Sequence, residues 1–176
     1  MARIRHCLFC ERPADTREHV WPEWLLEQLM SWRKVAMRGY VQDRPFVYKK
    51  AKPVMTVKCV CSECNHGWMS DLENLSKPLI GGLVQDISLN LDESQQLALA
   101  RWVMKTCMSL ELIGRFERRK FYTDEECQNL RLELTLPIPS FVWLGRYGGI
   151  NRIGGVRNGY LEPHTRKTWN DSWLCK

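Results

Sequence analysis

Apolar positions recur at helical spacing in three stretches of this chain and alternate loosely in one. Residues 23–33, Glu-Trp-Leu-Leu-Glu-Gln-Leu-Met-Ser-Trp-Arg, carry the spacing of an amphipathic helix. Residues 35–58 alternate, with Tyr40, Val41, Phe46, Val47, Tyr48, Val54, Met55 and Val57 apolar, which predicts two or three strands. A second helix is expected over about 65–76, where Trp68, Met69, Leu72 and Leu75 make one stripe. Asn65 lies three and four residues before Trp68 and Met69, so it begins that inward stripe. His66 falls on the more polar side with Ser70 and Glu73. Pro78 and Gly81-Gly82 then break the helix or end a first domain.

Local capping signals organise the second half. Asp92-Glu-Ser-Gln95 is a capping-box pattern, with an acceptor for the free N–H groups and Gln three residues on. A long helix is expected over about 93–114, ending near Gly114 and apolar almost all round. Such a helix needs burial against the C-terminal strands or a second subunit, which makes a homodimer or protein partner through this half an expectation. Thr123-Asp-Glu-Glu126 is a second capping box, opening a helix to about 131. Leu134–Leu144 is apolar and interrupted by proline, with β-type residues at Phe141-Val-Trp143, and Asn158-Gly159 reads as a hairpin turn. The end of the chain is therefore expected to be β-rich. The tryptophans Trp21, Trp24, Trp32, Trp68 and Trp102 read as core more than as base-stacking platforms.

Composition narrows the class. Of 176 residues, 44% are hydrophobic, enough for a true core. No apolar run approaches the ~20 residues that span a bilayer, and the start of the chain has no signal-peptide pattern. A cytoplasmic protein with no membrane partner is expected. In a reducing compartment, cysteines spaced by two residues favour metal over disulfide. Cys7-Leu-Phe-Cys10 and Cys61-Ser-Glu-Cys64 are two such pairs, and together they predict one tetrahedral structural Zn2+. Fifty residues separate Cys10 from Cys61, so the metal would join distant segments. Cys59 competes with Cys61 but would be spaced x4 from Cys64. Cys107, Cys127 and Cys175 are scattered and read as unreactive thiols. The net charge of +6, with basic clusters at Lys49, Lys50 and Lys52 and at Arg115, Arg118, Arg119 and Lys120, is compatible with nucleic-acid binding.

Between the cysteine pairs lies Glu18-His19-Val20-Trp21-Pro22, and directly after the second pair comes Asn65-His66-Gly67. A single-metal phosphodiesterase needs oxygen ligands for a hard cation and a neutral imidazole to take a proton from water. Glu18, Asn65 and His19 are the residue types for those tasks. Successive residues of a regular strand point to opposite faces, so Glu18 and His19 can serve one phosphate only through an irregular backbone or an intervening ion and water.

Cys7-x2-Cys10, Glu18-His19-Val20-x-Pro22 and Cys61-x2-Cys64-Asn65-x-Gly67 resemble the HNH endonucleases of the ββα-metal fold, in their bacterial and phage zinc-knuckle form. The resemblance covers roughly residues 5–76. It implies that Glu18 and Asn65 bind a catalytic Mg2+ or Mn2+ and that His19 is the general base. Glu18 stands where the family usually has Asp. The family's middle Asn has no counterpart in residues 54–60, where Thr56 or a backbone carbonyl would have to substitute.

The expected fold is α+β: a zinc-stapled, HNH-like module over 1–78, then a helical and β half over 79–176 that can pack with it as one unit. The expected function is metal-dependent nicking of phosphodiester bonds in DNA. The rivals are a catalytically inactive, zinc-containing nucleic-acid-binding module, and a phage or host structural or interaction protein reusing the fold.

Overall fold

A computed structural model describes residues 6–29, 56–112, 121–137 and 140–145, together with the backbone of 35–41 and 44–50. Helices and strands are mixed, as an α+β chain requires. Strand β1 is Thr16–His19, helix α1 Glu23–Leu29, β2 Val35–Val41, β3 Arg44–Lys50 and β4 Thr56–Val60. The helices α2 (Ser62–His66), α3 (Trp68–Val84), α4 (Glu93–Glu111) and α5 (Asp124–Leu132) follow.

Two antiparallel ribbons form. β2 pairs with β3 from Val35↔Lys50 to Val41↔Arg44. β1 skips that hairpin and pairs with β4, through Thr16↔Val60, Glu18↔Val57 and His19↔Thr56, with a register irregularity between Thr16 and Glu18. The β1–β4 ribbon thus spans the hairpin and leads into α2.

The helix after the second cysteine pair differs from expectation. It breaks at Gly67 and resumes as α3, which continues through Pro78 to Val84. The boundary expected at 78/79 falls inside it. Its buried positions are Met69, Leu72, Ser76 and Gly81, a stripe that leaves Leu75 64% exposed. Ser76 Oγ donates to the Ala98 carbonyl at 3.4 Å, so small side chains let α3 and α4 approach closely.

Both capping boxes form. Asp92 accepts from the Gln95 N–H and Thr123 from the Glu126 N–H, each with the reciprocal side-chain bond. The apolar reading of α4 is borne out on one broad face: Leu99, Trp102, Met104 and Met108 are buried. One core joins the two halves of the chain. Cys7, Phe9, Val20, Val57, Val60 and Met69 pack with Met104, Met108, Tyr122, Cys127 and Leu130. A smaller cluster of Leu25, Leu72 and Trp102 ties α1 to α3 and α4. The strand expected around Phe141–Trp143 is not formed: these residues have no regular structure and their side chains are exposed, Trp143 by 81%. Asn158-Gly159, Trp32, Cys175 and both basic clusters lie outside the residues whose side chains are described.

Candidate metal centre and the ribbon above it

The knuckles meet because the first pair is bonded to its own loop and to β4, and the second is shaped by its own cap. The Cys7 N–H donates to the Arg12 carbonyl at 2.7 Å, and the Leu8 N–H to the Cys59 carbonyl at 2.7 Å. The second bond binds the first knuckle to the end of β4. Cys61 caps α2, its Sγ accepting from the Cys64 N–H at 3.4 Å. As a result the sulfurs of Cys7, Cys10, Cys61 and Cys64 lie within 4.8 Å of one another, a cluster that can hold a metal ion.

The geometry fits a tetrahedral ion. Metal–sulfur bonds of ~2.3 Å put sulfurs about 3.8 Å apart. Cys10 Sγ is 3.6 Å from Cys61 Sγ and 3.8 Å from Cys64 Sγ. Without a cation, burial holds the Cys7 and Cys64 thiols above their ordinary value. Burial acts upward on Cys61 too, but the Cys64 N–H and the neighbouring thiols donate to its sulfur and the net direction is down. A bound dication favours the thiolate at every position. Cys59 is no part of the cluster: it is buried on the inner face of β4, and burial, then the Glu18 charge, push its thiol up to about 12. Cys127 is buried and Cys107 half-buried, and neither forms a disulfide.

The ribbon separates the two residues of the Glu-His pair. Glu18 is 6% exposed and points into the core; His19 is exposed on the other face. The Glu18 carboxylate has a partner that sequence reading missed. Lys105 Nζ, from the middle of α4 and 1% exposed, donates to Glu18 Oε1 at 2.7 Å. Lys105 also stands 6.0 Å from the centre of the Trp102 ring. One signal for it was present: Lys105 is the only charged residue between Trp102 and Leu110, in the most apolar part of the helix.

Asn65 and His66 fall as helix phase predicted, Asn65 half-buried and His66 exposed. Asn65 Nδ2 donates to Thr16 Oγ1 at 3.2 Å and to the Arg17 carbonyl at 3.4 Å, leaving Oδ1 as the atom for another partner. The first turn of the helix is thereby tied to β1. His66 Nδ1 lies 3.1 Å from Ser62 Oγ. Thr56 sits opposite His19 in the ribbon, and its Oγ1 accepts from Arg17 Nη1 at 3.5 Å.

Among the described residues, the four cysteines are the only group of three or more Cys, His, Asp or Glu side chains close enough to share an ion. Among the described residues no helix is long and apolar enough to cross a membrane. No family model, curated protein or solved structure matches the chain.

Proposed function

We propose that the chain is a zinc-stapled, HNH-type endonuclease that nicks DNA. The observation that carries this reading is the union of three features on one small scaffold. His19 is exposed at the end of β1, Asn65 is bonded from the following helix to the same strand, and a four-cysteine cluster fixes the two segments together. Zinc is the ion suited to four thiolates in a closed, tetrahedral setting.

In this reading His19 accepts the proton of the attacking water. Thr56, facing it across the ribbon, takes the place of the family's orienting Asn. The resemblance gives Glu18 and Asn65 to a divalent ion; Glu18 would have to turn away from Lys105 to reach it, and the ion would supply positive charge to the scissile phosphate and the leaving oxygen. The described residues hold one such constellation, so a single strand is cut unless two copies act together.

One observation favours a second reading. The Glu18 carboxylate already has a buried cation beside it in Lys105. A carboxylate satisfied in this way belongs equally to a zinc module that binds nucleic acid without cutting it. Supercoiled-plasmid nicking with titrated Mg2+ or Mn2+ separates the two. Nicking by the wild type, lost by at least ~10²-fold in His19→Ala with zinc content unchanged, supports the nuclease. Binding without nicking under any divalent ion supports the module.

A further inference from the structure

We infer that the outward face of the β1–β4 ribbon is a track for one phosphodiester backbone of duplex DNA. Arg17 and Lys58, which the register places across the ribbon from each other, would grip phosphates next to the one that meets His19. The inference rests on the nucleic-acid part of the proposed function and not on catalysis.

The ribbon's two faces are chemically opposite. Inward, Glu18, Val57 and Cys59 are buried. Outward, the alternating positions are Arg17 and His19 on β1 and Thr56 and Lys58 on β4. Arg17, His19 and Lys58 are exposed, and none of the four outward positions is acidic. The nearest carboxylates in sequence are committed elsewhere. Glu18 is turned inward to Lys105, and Asp15 accepts the Ser62 N–H at 2.7 Å. Glu63, on α2, is paired with Arg12 and lies 3.8 Å from Arg131. The cations of the outward face therefore have no neutralising partner within the ribbon.

The geometry suits a repeating anion. Residues two apart on a strand are ~6.6–6.8 Å apart along it, which is comparable to the separation of successive phosphates on one strand. Arg17 is held across the ribbon by its bond to Thr56, so its guanidinium is oriented before a partner arrives. A guanidinium and an ammonium that grip phosphates read no bases, so this face gives affinity and register, not sequence choice.

The test uses the full chain loaded with zinc, free of added Mg2+ or Mn2+, and a fluorescent 20-base-pair duplex followed by anisotropy between 50 and 200 mM salt. Arg17→Ala and Lys58→Ala should each flatten the log–log salt dependence by about 0.9, and the double variant by roughly twice that. The loss should be equal on duplexes of unrelated sequence. Lys77→Ala, at an exposed lysine over the Trp24 ring, should leave the slope unchanged. Circular dichroism establishes that the variants fold. An unchanged slope in Arg17→Ala and Lys58→Ala overturns the inference, as does an equal effect of Lys77→Ala or the absence of wild-type binding. A preference for single strands, with increments of about 0.7, overturns the duplex assignment. A wild type that nicks while the variants keep its slope sinks this inference alone. A wild type that binds with the expected slopes and never nicks sinks the nuclease reading alone.

Discussion

Lys105 and Glu18 are 87 residues apart in sequence and 2.7 Å apart in space, both buried. The pair bolts α4 to the underside of the β1–β4 ribbon. It also makes the second half of the chain a structural neighbour of the candidate site. Two charges withdrawn from water are stable only together, since either one left alone keeps its full desolvation penalty.

Lys105→Met and Glu18→Leu should each therefore destabilise the protein by about 3–5 kcal/mol in urea unfolding with zinc present. The double variant, with apolar side chains at both positions, should recover most of that loss. Additive losses in the double-variant cycle would show that the two groups do not sense each other.

The metal cluster gives a sharper contrast. Cys61→Ser should lose the bound zinc, while Cys59→Ser and Cys107→Ser should keep one ion per chain by elemental analysis. Apparent binding energies of structural zinc are on the order of 10 kcal/mol or more, comparable to the whole stability of a domain. A strong chelator should then unfold the knuckle region, seen as loss of near-ultraviolet circular dichroism. Well-folded, zinc-free protein would refute the assignment.

Gly67 sits between α2 and α3, where a Cβ would lie 2.6 Å from the Glu63 carbonyl oxygen. Backbone, not a flexible side chain, is the obstacle. Gly67→Ala should cost about 1–3 kcal/mol, the usual scale of forced overpacking. Thermal unfolding measures it, and a neutral result would mean that the α2–α3 break is not set by this contact.

The cap of α4 predicts an acid-dependent effect. Hydrogen bonds from Ser94 and from the Gln95 N–H hold the Asp92 carboxyl below its ordinary value. Its folded value lies under its unfolded one, so its contribution is complete above the unfolded pKa of ~3.9 and fades as pH falls through the lowered folded value. Asp92→Asn should lower the melting temperature at pH 7, and the gap to wild type should close on acidification. Metal loss in acid affects both proteins alike and drops out of the difference. A gap that widens with acid would contradict the cap's role.

What could be read from the sequence was local. A two-residue spacing fixes which cysteines reach one ion, and a capping box is complete within four residues. Helix phase likewise separated Asn65 from His66. What could not be read was tertiary. Strand alternation says that Glu18 and His19 face apart, but not that the carboxylate is the one turned inward. That choice is made by Lys105, whose partner no periodicity reveals. Leu75 had the right spacing for the buried stripe, yet Met69, Leu72 and Ser76 define where α3 meets its neighbours. Pro78 reads as a stop, but helix α3 passes through it. Phe141–Trp143 had the composition of a strand and found no partner strand among the described residues.

The long excursion between the knuckles has a consequence for how such a chain can change. β1 and β4 pair across it, the cysteines clamp its two ends, and β2 and β3 close on each other through their own ladder. Closure entropy grows only logarithmically, about 0.6 kcal/mol for each doubling of loop length. Once ribbon and metal have fixed the ends, the length of what lies between is almost free of charge. The segment from 30 to 55 is in that sense a cassette. It can be lengthened, shortened or exchanged for a different recognition element while the cysteines, the ribbon and His19 stay where they are.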